Sequence, residues 1–248
     1  MSEIHLAIDS ASAVDLSFPI DPRHFRWRHE REVVDRLEDG APFETSRFTM
    51  SAHAFTHADA PSHVAVSGRT LQHVPLDTWI GTATVLDLSA AAPSAAIDAD
   101  QLARAGARVP EISPGEIVLL RTDWDRRRDI GTPAYWREAP WVDRSGAEWL
   151  AERRPRAVGF DFPQDEPIRH TLAGEPGSPA EFVTHDVLLR SDIGLIEYLH
   201  GLDRLPFRAL LVAAPIALVG SDGGPTRAIA FPLTEPPHGH RTTTERQP

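Results

Sequence analysis

Eleven residues carry most of the chemistry visible in this chain: His53-Ala54-Phe55-Thr56-His57-Ala58-Asp59-Ala60-Pro61-Ser62-His63. Three imidazoles and a carboxylate in so short a span are the ligand types that zinc and manganese accept. One histidine is to spare for proton transfer, and an imidazole titrates near neutral pH. A metal ion beside a proton carrier is the equipment of a hydrolytic site. Positions 53, 57, 59 and 63 are all odd, so on a straight strand they would share a face. At ~3.3 Å per residue, however, His53 and His57 would lie roughly 13 Å apart on that strand, too far to share an ion. The segment must therefore curl, as a helical turn or as a tight bend, and Pro61 stops regular structure beyond it. Asp59 has two oxygens on a short stem, so it can bridge two ions or hold one and orient a water. The competing reading is a set of ordinary polar residues near a strand end. A lone His-x-x-x-His would not exclude that reading, whereas three histidines with an aspartate in Thr-His-x-Asp-Ala-Pro weigh against it.

Ligands from one loop rarely complete a metal site, so a second group is expected. His170, His185, Glu197 and Asp161 are the candidates. Taken alone, His185 reads equally well as an exposed helix residue and Glu197 as a strand-edge charge.

The elements that must position these residues follow from short β-branched runs at 84–88, 117–121, 157–161, 194–198, 209–213 and 228–232, most bounded by Gly, Pro or Asp. Helical patterns lie between them. One spans 98–106, from an acidic start to a glycine stop, and one spans 145–154, from a serine cap to Pro155. The best marked begins at Ser178-Pro179-Ala180-Glu181, with a capping serine, proline at the first position and glutamate three after the cap. That helix is expected to run to about residue 190 and to carry His185. The mixture predicts an α/β class with antiparallel hairpins near 209–232. Residues after Pro236 read as a frayed tail, so His238 and His240 are set aside.

The 248 residues suit one domain with a substantial core, and 41% hydrophobic with 25% charged residues is an ordinary globular composition. A net charge of -11 argues against nucleic acid as a partner, because phosphate binding needs a basic face. The longest apolar stretch, 209–220, is too short to span a bilayer and contains Pro215, and the first residues lack the pattern of a signal peptide. A cytoplasmic location is the expectation. The chain has no cysteine and no lysine. Disulfides, thiolate chemistry and a Schiff-base lysine are excluded, which leaves histidine, carboxylate and hydroxyl chemistry.

In its motif the chain resembles the metal-dependent cyclase/hydrolase family that includes bacterial kynurenine formamidase and isatin hydrolase. The family pattern His-x-Gly-Thr-His-x-Asp-x-Pro-x-His is matched from His53 to His63, with Phe55 in place of the glycine. Segments 74–81, 85–89, 118–122 and 159–161 also look like the family, as does the C-terminal run Gly220-Ser221-Asp222-Gly223-Gly224-Pro225-Thr226-Arg227-Ala228. The match extends from residue 15 to about 233. The resemblance implies His53, His57 and Asp59 as one group of metal ligands, His185 and Glu197 as a second, with Asp59 bridging, and His63 as general acid/base. It implies Zn2+ or Mn2+, one or two ions per subunit, and a homo-oligomer, dimer or tetramer. It implies a single α/β domain over 1–236 with a mixed, β-barrel-like sheet flanked by helices.

The activity expected from this resemblance is hydrolysis of a C–N bond in a small amide, formamide or lactam. A biosynthetic cyclase or dehydratase using the same residues, and a metal-dependent binding protein without turnover, are the alternatives. Phe55 and Trp27 are candidate substrate-binding residues. Trp124, Trp136 and Trp141 are further candidates for an aromatic wall, with plain packing as their competing role.

Overall fold

The structure is a computed structural model that describes residues 10–27, 29–175 and 177–233. The expected tail at 237–248, with His238 and His240, lies outside the described residues. Nine strands form one mixed sheet: β1 (Val14–Asp15), β4 (His57–Asp59), β5 (Ile80–Asp87), β7 (Ile117–Arg121), β9 (Ala157–Phe160), β10 (Gly194–Glu197), β11 (Arg208–Val212), β12 (Gly223–Pro225) and β13 (Ile229–Pro232). Their order is β1-β13-β11-β5-β7-β9-β10-β4-β12. The centre, β5-β7-β9-β10, is parallel, and every pairing outside it is antiparallel. Two small ribbons stand apart: β2 (Glu30–Asp35) with β3 (Thr45–Thr49), and β6 (Ala96–Ile97) with β8 (Trp141–Val142).

The parallel strands read as unbroken apolar runs because both of their faces are covered. Side chains alternate between two cores. Ile117, Leu119, Ala157 and Ile196 point into one that also holds Leu16, Trp79 and Leu211. Val118, Leu120, Val158 and Leu195 point into the other, beneath the helices. The sheet curls far enough that its first edge meets its centre. Ser17 bridges Leu199, and His200 N–H donates to Leu16 O at 3.0 Å. This closure encloses the first core and gives the barrel-like interior expected from the resemblance. Among the described residues, no helix is long and apolar enough to cross a membrane.

The helices are α1 (Ala99–Gly106), α2 (Trp124–Arg127), α3 (Pro133–Arg137), α4 (Arg144–Glu152), α5 (Ile168–Thr171) and α6 (Val183–Leu188). Asp98 caps α1 in a reciprocal box with Gln101, as its acidic start foretold. α4 is capped by Asp143 rather than Ser145, two residues earlier than expected. Ser145 instead donates to Asp143 Oδ1 and accepts from Ala99 N–H, tying α4 to α1.

The helix expected over 178–190 is broken. Ser178 does form its capping box, but over a short 3-10 turn, Pro179–Glu181. The chain then turns at Phe182 (φ −76°, ψ 74°) and restarts as α6. The cause is a distant carboxylate. Buried Asp165 accepts from both the backbone N–H and the hydroxyl of Thr184, so the restarted helix is capped from another loop.

Gly159 on β9 sits where a Cβ would come within 2.6 Å of Leu119 Cδ2 and 2.8 Å of Leu199 Cδ1. Gly159→Ala should therefore destabilise the fold by about 1–3 kcal/mol through overpacking. The check is a lowered midpoint in urea denaturation.

Candidate metal centre

β4 is only three residues long, and it carries the centre because of its register. It lies antiparallel between β10 and β12, with His57 opposite Glu197, Ala58 opposite Ile196 and Asp59 opposite Leu195. Ala58 and Ile196 face the barrel interior. His57, Asp59 and Glu197 therefore share the opposite, helix-covered face. The curl demanded by the spacing is a tight bend, not a helical turn. Phe55 adopts φ 55° just before β4, which swings His53 back over the strand. Pro61–His63 forms a 3-10 turn that brings His63 to the same side, and α6 supplies His185.

These residues meet. His53 Nδ1 lies 2.8 Å from Asp59 Oδ1, and His57 Nε2 lies 3.2 Å from the same oxygen. His185 Nε2 is 3.5 Å from Asp59 Oδ2 and 3.2 Å from Glu197 Oε1. His57 Nε2 is 3.6 Å from Glu197 Oε2. Two donors on a tetrahedral ion, each bound at about 2.1 Å, sit roughly 3.4 Å apart. The spacing of this cluster is of that order.

Hydrogen bonds on the outer side of each ring decide which nitrogen faces inward. His57 Nδ1–H donates to Phe55 O at 2.8 Å, His185 Nδ1–H to Asp165, and His53 Nε2–H to Asp222 Oδ2 at 3.0 Å. Three nitrogens with free lone pairs are thereby turned toward two carboxylates, an arrangement of acceptors alone that only protons or a cation can hold together. His57 Nε2 and Asp59 Oδ2 are buried with no hydrogen-bond partner. The donor set suits a divalent ion of the zinc or manganese type.

Electrostatics agree with the geometry. Burial penalises the charged form of Asp59, yet the imidazoles of His57, His185 and His53 hold its carboxyl well below the usual range. Burial opposes a proton on His53, but Asp59 and Asp222 outweigh it and raise that ring to about 9. His185 is likewise raised, against its burial, by Glu197, Asp165 and Asp59.

Some residues singled out from sequence stand elsewhere. Asp161 is buried, but it accepts from the Thr122 N–H and hydroxyl and from Asp123 N–H, which pins the end of β7. His170 pairs with Glu166 at the surface. Trp124 is core, with its N–H donated to Tyr135 O, and Trp141 lies under the Arg169 guanidinium. Phe55 is 2% exposed. Its ring packs on His24, Trp27 and His29, and Trp27 in turn on Trp136 and Tyr198. The cavity at the centre, about 350 Å³, is lined instead by His63, Val64, Gly177, Pro179, Phe182, His185, Asp186 and Arg190.

Three participants were not anticipated. Gln164 donates its amide to Glu197 Oε1, Asp165 anchors His185, and Asp222 anchors His53 and His63. The signal for the first two was the polar pair Gln164-Asp165 just after a buried strand. Asp222 stood in the C-terminal run already compared with the family.

A ring whose proton is held to about 9 must release it before it can take an ion. Zinc or manganese binding should thus tighten as pH rises toward about 9 and release protons, from His53 and from the likewise raised His57 and His185. Calorimetry in buffers of different ionisation enthalpy measures this. His57→Ala should lower the bound metal found by elemental analysis.

The family model described as "Putative cyclase" matches residues 14–167. The kynurenine formamidase of Erythrobacter litoralis is 31% identical over 228 residues, covering 92% of this chain and 94% of the relative. Isatin hydrolase A from Labrenzia aggregata superposes with a TM-score of 0.76 at 23% identity, over 89% of this chain and 93% of that one. A "predicted metal-dependent hydrolase" from Bacillus stearothermophilus gives 0.66 at 26%, over 91% and 99%. The chain belongs to the cyclase family.

Proposed function

We propose that this protein is a metal-dependent hydrolase that cleaves the C–N bond of a small amide, formamide or lactam. One observation carries the reading. Three outward-anchored imidazoles and two buried carboxylates converge beside a further histidine, His63, on the floor of a cavity. The assigned ligands are His53, His57, Asp59, His185 and Glu197, holding Zn2+ or Mn2+. The two oxygens of Asp59 face different partners, Oδ1 toward His53 and His57 and Oδ2 toward His185, which supports a site able to take two ions. An ion held there supplies Lewis-acid chemistry, acidifying a water and polarising a carbonyl.

The chain's own groups do the rest. His63 takes one proton from water as the oxygen bonds the carbonyl carbon, and it returns that proton to the nitrogen as the C–N bond breaks. Net, one water is consumed and an acid and an amine are formed. Asp165 and Gln164 keep His185 and Glu197 from turning away. Phe182 and Val64 give the cavity an apolar wall, and its volume fits a single-ring or two-ring substrate. The resemblance to kynurenine formamidase points to an aryl formamide or aryl amide.

The same reading includes a homo-oligomer. The β2–β3 ribbon leaves Val34 and Phe48 at least half exposed, as are Leu37 and Phe43 between the strands, and an isolated two-stranded ribbon is marginal in water.

Metal-loaded protein should hydrolyse formylkynurenine, isatin or a related aryl amide, with one water added to the product. Chelation should abolish turnover and zinc or manganese restore it. His63→Ala should lower kcat by about 100-fold or more at unchanged metal content. A product that has lost water would instead identify a dehydratase.

A further inference from the structure

Asp222 reaches the centre from the far end of the chain. It immediately precedes β12, the edge strand beside β4, and its carbonyl accepts from Ala60 N–H at 2.8 Å. The strand comes in unusually close. A Cβ on Gly223 would lie 2.6 Å from His53 Cε1 and 3.0 Å from Asp59 Oδ1. That approach lets a short aspartate touch two rings with one oxygen. Asp222 Oδ2 is 2.9 Å from His63 Nδ1 and 3.0 Å from His53 Nε2. The two imidazoles are stacked, with centroids 4.0 Å apart and planes at 26°.

A carboxylate oxygen can only accept, so the nitrogen of His63 that meets it carries the hydrogen. In the neutral ring the other nitrogen, Nε2, is then the lone-pair nitrogen. One ring nitrogen of His63 lies within 4.8 Å of ligand atoms of Asp59 and His185, and His63 and His185 line the same cavity. Without the carboxylate, the single proton of the neutral ring could sit on Nε2, and the ring could not accept one there.

We propose that Asp222 is the positioning residue of His63: it fixes the ring with Nδ1 protonated and Nε2 open to receive a proton from water. The inference rests on the reading of His63 as the proton carrier. Asp222 stays ionised throughout. Its negative charge stands against the ring while the ring holds the extra proton, and no proton passes to it. Its second contact, to His53, keeps the proton carrier in register with the metal-facing imidazole, so one side chain aligns both.

The experiment compares Asp222→Asn, Asp222→Glu and His63→Ala with the double substitution His63→Ala/Asp222→Asn. Asparagine can donate as well as accept, so it cannot enforce a tautomer. Measured at saturating metal, so that any weakening of His53 through its own contact with Asp222 does not lower occupancy, Asp222→Asn should lower kcat by about 10–100-fold with KM within about twofold of the parent, and Asp222→Glu should recover part of the loss. In the His63→Ala background the same substitution should change kcat by less than about twofold, because its effect runs through the missing ring. A second readout needs no turnover. Long-range 1H–15N NMR of 15N-histidine-labelled protein should show His63 as the Nδ1–H tautomer in the parent and shifted toward Nε2–H in Asp222→Asn.

An equal loss in both backgrounds, a loss that tracks bound metal, or an unchanged tautomer would overturn the proposal. If His63→Ala abolishes turnover while Asp222→Asn behaves as the parent, only the role of Asp222 fails. If His63→Ala retains the parent rate, the reading of His63 fails and this inference with it.

Discussion

A carboxylate with no water around it has to be neutralised by its neighbours, and Asp59 is such a group. It is wholly buried between β10 and β12, with its two oxygens facing three imidazoles. Isolated burial of that charge would cost far more than a fold can spare. Much of the surrounding structure answers to this one constraint. The two-residue period of β4 puts His57 and Asp59 on one face, and its antiparallel register with β10 sets Glu197 opposite His57. The Thr56 hydroxyl donates to Tyr198 O and accepts from Phe18 N–H, which fixes the strand's entry. Ala60 N–H donates to Asp222 O, which fixes its exit.

Around this centre lies a ring of acceptors that never face the reaction. Phe55 O and Asp165 each hold the outer nitrogen of one histidine, and Asp222 holds His53 and His63. They convert flexible imidazoles, each with two possible tautomers, into donors of one orientation. The left-handed backbone of Phe55 is part of this ring, since it aims the carbonyl that His57 needs. Glycine takes that conformation without cost, whereas a phenylalanine gives up roughly 1–2 kcal/mol there. Packing of its ring among His24, Trp27 and His29 offsets the strain.

Much of this is legible in the sequence. The spacing of His53, His57 and Asp59 ruled out a straight strand, and the segment does bend. The apolar runs became the parallel strands to within a few residues, because a strand buried on both faces has no alternation to misread. What stayed hidden was long-range. The acceptors Asp165 and Asp222 are remote in sequence from the rings they serve, apart by 20 and 159 residues or more. The break at Phe182 was hidden for the same reason, since local capping signals describe one helix and cannot report a carboxylate arriving from another loop. The same holds for Phe55. Its type suggested a wall of the substrate pocket, while its position in the fold makes it part of the frame behind His57.

Four of the five proposed ligands and their anchors belong to the sheet and its immediate turns, whereas the cavity beside them is walled by Val64 and by residues of the segment from Gly177 to Arg190. That segment is a short 3-10 turn, a kink and a six-residue helix, joined to the centre through His185 and through the bonds of Thr184 to Asp165. On the proposed function, chemistry and selectivity fall to separable parts of the chain. Residues on the wall can be exchanged, lengthened or recharged without moving a ligand, provided His185 keeps its grip on Asp165. On that reading, a scaffold divided in this way can change its substrate by rewriting the cavity wall while its reaction stays the same.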